Sequence, residues 1–178
     1  MRYVPLIVLG ACAVTAPVFA TQYLSPEQAQ KLMFPEADAF RAVPLSLDAA
    51  QMRQVEQVGG LPARSAHWRV VGAYKGEALL GYMVLDDVVG KFELISYAVG
   101  INPDASVRQV EILTYRESHG SEIRLPAWRR QFVGKSAKSG GLRIGGGIDN
   151  ISGATLSCTH VTDGVRRIAA MAQVALVK

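Results

Sequence analysis

Asp149-Asn150-Ile151-Ser152-Gly153-Ala154-Thr155 places a threonine hydroxyl behind a Ser-Gly-Ala turn and ahead of a helix-like stretch. A hydroxyl so placed can be esterified to a phosphate. That phosphate would lie at a helix N-terminus, where unpaired backbone N–H groups and the helix dipole favour negative charge. Gly153 and Ala154 leave the surface beside Thr155 uncrowded, so a large donor held by another enzyme has room to approach. Threonine is a poor nucleophile at neutral pH, so that enzyme must supply the base and the metal. Ser157 and Thr159 place further hydroxyls close by. The plainer reading is that Ser157 or Thr155 serves as an ordinary N-cap, worth about 1 kcal/mol.

The elements around this segment follow from patterning. Val161, Val165, Ile168 and Ala172 form an apolar stripe on a last helix over 157–177, with Asp163 near its start and Lys178 beyond its end. Lys135 to Gly147, rich in Gly, Ser and Lys, is expected as a flexible approach loop, and Pro126 to Phe132 as a short helix. Upstream, 67–74, 78–85, 92–99 and 107–115 alternate or run apolar as strands. Lys75-Gly76, Asp86-Asp87 and Asn102-Pro103-Asp104 interrupt them. Ser25-Pro26-Glu27-Gln28 has the form of a capping box with proline at the first helical position, opening a helix that ends before Pro35. Phe40 to Val43 is a short strand bounded by Pro44, and Asp48 to Val58 a second helix stopped by Gly59-Gly60. The expected class is α+β, an antiparallel sheet with flanking helices and a C-terminal amphipathic helix. The division is 1–20 as export signal, 21–65 as an N-terminal helical segment, and 66–178 as the functional domain.

Arg2, the apolar run Val4 to Val14 and Val18-Phe19-Ala20 have the form of a secretory signal cleaved after Ala20. A membrane anchor would need about 20 apolar residues, and Thr15 and Pro17 cut the run short. Leu9-Gly10-Ala11-Cys12 offers a lipobox as the competing reading, weighed against by Gly10 and by the apolar stretch continuing to Ala20. Cleavage would leave 158 residues (178 minus 20), enough for one domain, with the formal charge falling from +4 to +3 by loss of Arg2. No run of five like charges exists, so nucleic acid is not an expected partner. Cys158 would be the only cysteine left, which rules out an intramolecular disulfide and suits a periplasm. No Cys/His spacing suggests a metal.

From Lys75 to Val174 the chain resembles the FMN-binding domain family. That family includes flavin-bearing components of the sodium-pumping NADH:quinone oxidoreductase and of the Rnf complex. In it an FAD:protein FMN transferase, using magnesium, moves FMN onto the last threonine of Asp-x-x-Ser/Thr-Gly-Ala-Thr. Asp149, Ser152, Gly153, Ala154 and Thr155 fill every fixed position. The resemblance therefore implies FMN in phosphoester linkage to Thr155, with Ser157 as the fallback attachment residue because it is the next hydroxyl expected to be exposed. It also implies a loop beside the isoalloxazine. Glu117-Ser118-His119-Gly120 stands where the family has Glu-Thr-Pro-Gly, with Ser118 for threonine and His119 for proline, and Ser121-Glu122 where Leu-Gly is usual. Trp128 and Phe132-Val133-Gly134-Lys135 match the family's next segment, while 21–65 lies outside the resemblance.

Other residues have ordinary roles competing with functional ones. Arg116, Arg124 and Arg143 are candidates for a cation beside the flavin N1–C2=O edge, against plain solvation. His119 is a candidate to donate to a ring carbonyl or to help move a proton, and His160 a candidate phosphate contact. Cys158, Trp68, Tyr97 and Trp128 are expected in the core. Gly140 to Gly147 lacks the Lys-Ser/Thr ending of a P-loop and the spacing of a dinucleotide loop. The motif of a serine hydrolase is absent. The expected function is a periplasmic FMN-binding electron-transfer protein with no catalytic residues of its own, served by a membrane or periplasmic redox partner. The alternatives are an FMN-binding sensory or scaffolding module of a membrane reductase, and a flavin-free exported structural domain.

Overall fold

The structure, a computed structural model, describes residues 21–177; the expected signal and Cys12 lie outside them. Six strands form one antiparallel sheet in the order β1-β6-β5-β4-β3-β2. They are β1 (Thr21–Gln22), β2 (Ala39–Ser46), β3 (His67–Lys75), β4 (Ala78–Val89), β5 (Leu94–Ile101) and β6 (Val107–Tyr115). The helices are α1 (Pro26–Met33), α2 (Ala49–Gly59), the single turn α3 (Pro126–Arg129) and α4 (Thr155–Ala175). The α+β class and the antiparallel sheet are as expected from the sequence.

Neighbouring residues along each strand face opposite sides, and each side has its own helices. Val84, Val99 and Ile112 pack under α4 with Val161, Val165, Ile168 and Ala172, and α2 adds Val55. Met83, Ala98 and Leu113 face the other way, onto Ala29, Met33 and Phe34 of α1 and its end. Arg108 fastens α1 to β6. It donates to the Met33 carbonyl at 2.7 Å, pairs with Glu36 at 2.5 Å, and lies 4.6 Å above the Phe34 ring.

Several boundaries differ from the expectation, each because of a partner distant in sequence. Pro44 does not end β2, which runs to Ser46. That strand is the sheet's edge, where the missing N–H costs no ladder bond. Asp86-Asp87 does not interrupt β4, because each carboxylate has a partner. Asp86 accepts from the Tyr97 hydroxyl at 2.6 Å and Asp87 pairs with Arg69 at 2.7 Å. β5 starts at Leu94 rather than Phe92, so Gly90 to Glu93 is the hairpin turn. The 21–65 segment is more than helical, since it supplies β1 and β2 to the sheet as well as α1 and α2. The Gly-rich loop is pinned rather than free. Leu142 and Ile148 are buried at its far end, and Val107 N donates to the Lys135 carbonyl at 2.7 Å where it begins.

Candidate functional site

Thr155 is the first residue of α4, two positions earlier than expected, and Ala154 is its N-cap. No side chain caps this helix, so the N-cap role considered for Thr155 or Ser157 does not hold. The contrast within the molecule is plain. α1 carries a complete capping box through Ser25 and Gln28, and α2 another through Asp48 and Gln51. The longest helix, at 21 residues, has none. Its first N–H groups are left for another acceptor.

Thr155 is exposed, and its Oγ1 accepts from Asn150 Nδ2 at 3.1 Å. Gly153 and Ser152 are exposed beside it. Ser157, expected as a second exposed hydroxyl, is instead buried at 4% exposure. Its Oγ lies 3.1 Å from the Tyr115 hydroxyl, which also donates to the His119 carbonyl. Tyr115 thus ties the end of β6, the 117–120 loop and α4 together. Burial pushes its phenol pKa up, against the lowering effect of Ser157, so it stays a donor at neutral pH. Gly120 has φ +87°, and a Cβ there would lie 2.7 Å from the Tyr115 hydroxyl and 2.9 Å from Ala154 Cβ. Only glycine permits the loop to approach the start of α4 this closely.

These elements enclose a cleft of about 370 Å³. The start of α4 forms one wall, from Gly153 to Ser157; Glu117, Ser118 and His119 form a second. The third is the β4–β5 turn, through Lys91 and Phe92. Ser118 Oγ and His119 Nδ1 are 2.9 Å apart. Glu117 turns toward the hairpin, where its Oε1 accepts from Phe92 N at 2.6 Å and Glu93 N at 3.0 Å. Burial alone would raise the Glu117 pKa. The backbone donors of Glu93, Phe92 and Lys91, with the Lys91 charge, outweigh it and hold the carboxyl below its ordinary value.

Asp149 is exposed and does not line the cleft; its backbone is fixed instead, donating to Gln131 Oε1 and accepting from Trp128 Nε1, each at 2.8 Å. None of the three candidate arginines lines the cleft. Arg124 stacks 3.9 Å from the Tyr23 ring centre. The cation at the cleft is Lys91, which sequence reasoning missed because Phe92 was assigned to a strand. The available signal was Gly90, at which a Cβ would lie 2.5 Å from Glu117 Oε1. His160 does not line the cleft; its Nδ1 lies 2.6 Å from the Val89 carbonyl and 3.2 Å from that of Gly90. Two carbonyls at one nitrogen place the proton on Nδ1. Cys158, Tyr97 and Trp128 are buried as expected, and Trp68 is half-buried. Among the described residues no group of His, Cys, Asp and Glu is arranged to hold a metal.

A family model of the FMN-binding domain matches residues 90–170, a span that holds all three walls of the cleft. Residues 90–170 belong to the FMN-binding domain family. The crystal structure of NqrC from Shewanella oneidensis aligns with 82% of this chain and 82% of its own, at 16% identity and a TM-score of 0.47. No curated protein matches the chain. The residues present suit FMN. The FMN-binding domain offers a phosphate the uncapped start of α4, and offers an isoalloxazine a cleft with apolar and polar walls.

Proposed function

We propose that the chain is a periplasmic electron carrier whose FMN is joined through a phosphoester to Thr155. The observation that carries this reading is the exposed Thr155 hydroxyl, first residue of an uncapped 21-residue helix and on the wall of the cleft. Attachment balances as a phosphoryl-group transfer from FAD. A bond forms between Thr155 Oγ1 and the FMN phosphorus. The pyrophosphate P–O bond breaks, AMP leaves, and the hydroxyl proton passes to a base of the FAD:protein FMN transferase. The exposed backbone at Ser152 and Gly153 leaves room for that enzyme. The N–H groups of the first turn of α4 then bind the phosphate oxygens.

FMN supplies the electron-accepting and electron-donating chemistry when bound. The chain's own residues hold and orient it: Gly120 brings the loop against Ala154, and Tyr115 locks that loop to α4. No helix among the described residues is long and apolar enough to cross a membrane.

The test is to produce the chain with and without an FAD:protein FMN transferase. The expected result is a flavin absorbance that survives denaturation and gel filtration only in the first sample. It bleaches with dithionite and returns in air, and the periplasmic product begins at Thr21. A colourless product from both samples overturns the carrier reading.

A further inference from the structure

The β4–β5 turn is built like a binding wall without a protein partner. Phe92 is 75% exposed, yet it lines the same cleft as Thr155. Lys91 stands beside it, with Nζ 4.9 Å from the ring centre. An exposed aromatic ring on a floppy turn would mean little. This turn is not floppy, because three bonds fix its backbone. Gly90 N donates to the Glu93 carbonyl at 2.8 Å, and Phe92 N and Glu93 N both donate to Glu117 Oε1. Gly90 has no side chain where the Glu117 carboxylate sits, so the turn and the acid are fitted to each other. A rigid backbone presenting an unpacked ring and an ammonium into a cleft is an arrangement that a planar, electron-accepting ligand would complete.

The geometry points to Lys91 and Phe92 as the isoalloxazine-binding wall, with Glu117 as a positioning residue that holds this wall rather than touching the flavin. The inference rests on FMN being carried at Thr155. Phe92 covers the ring with an apolar face. Lys91 places a positive charge where the reduced flavin gains negative charge, which favours the reduced form. The single Oε1 of Glu117 takes both N–H groups, so a glutamine, with an equivalent carbonyl oxygen, preserves the clamp and an alanine does not.

The test uses the flavinylated full chain as wild type, Phe92→Ala, Lys91→Gln, Glu117→Gln and Glu117→Ala. Each is checked for the adduct by intact mass and for native secondary structure, then read by access of iodide to the flavin fluorescence and by midpoint potential. The wall predicts flavin fluorescence more open to quenching by added iodide in Phe92→Ala and Glu117→Ala, wild-type shielding in Glu117→Gln, and a shift to lower potential in Lys91→Gln. Adduct present with fluorescence and potential unchanged in all variants overturns the wall and leaves attachment standing. Shielding from iodide lost equally in Glu117→Gln and Glu117→Ala overturns the positioning role. A wild-type chain without the adduct mass removes both the wall and the attachment it rests on.

Discussion

Two hydroxyls two residues apart have opposite surroundings: Thr155 is exposed, and Ser157 is buried against Tyr115. Thr155→Ala is therefore expected to abolish the FMN mass increase entirely. Ser157→Ala is expected to keep the increase while losing about 1 kcal/mol of stability with its hydrogen bond, checked by intact mass and urea titration. Gly120→Ala forces an alanine into φ +87° and against Tyr115 and Ala154. A loss of about 1–3 kcal/mol is expected, seen as a lower melting temperature with unchanged secondary structure. Glu117 sets a pH dependence. Its pKa is lowered in the folded chain, so it contributes stability above the ordinary glutamate value that disappears as pH falls through the folded value. Protonation leaves a carbonyl oxygen that can still accept from Phe92 N and Glu93 N, as in Glu117→Gln, so the flavin signal should hold on acidification while the melting temperature falls. The exposure of Thr155 beside a small-residue turn was legible because Asp149 to Thr155 is contiguous. Ser157's burial was not, since it depends on Tyr115, whose partnership with α4 is made by the fold.

Among the elements, α4 was legible from its apolar stripe but not its first two residues. Its start is marked by no capping side chain, the usual signal for a helix N-terminus. The same absence leaves the first N–H groups of α4 open to an acceptor from outside the helix. β4 and β5 were found, but β4 ends four residues later and β5 starts two residues later than expected, because Asp86 and Asp87 were read as an interruption from their polarity and Phe92 as a strand residue from its alternation. Their partners Tyr97, Arg69 and Glu117 settle their places. The turn α3 owes its place to a buried ion pair. Arg129 donates to Glu111 and to the Val110 carbonyl, and the two side chains are 16% and 6% exposed. Glu111→Ala leaves a guanidinium without its partner and is expected to cost about 3–5 kcal/mol. The matching double change to apolar residues should recover much of that, which equilibrium unfolding of the three chains would show.

On the scale of the molecule, residues 21–65 are part of the fold that carries the cleft. β2 pairs along its full length with β3, α2 packs on α4, and α1 covers the opposite face of the sheet. A chain of residues 66–178 is expected to be unfolded by circular dichroism, whereas 21–178 folds. The α+β class was readable from the alternating strands and terminal helices. This integration was not, because a half-buried edge strand such as β2, interrupted by Pro44, shows little periodicity. The proposed carrier stands or falls on where the flavin is joined. The decisive measurement is fragmentation of the tryptic peptide Ile144–Arg166 from the wild-type chain co-produced with the transferase. The mass of FMN less water is expected at Thr155. The same increment at Ser152, Ser157 or Thr159, or a peptide without it, would contradict attachment at Thr155.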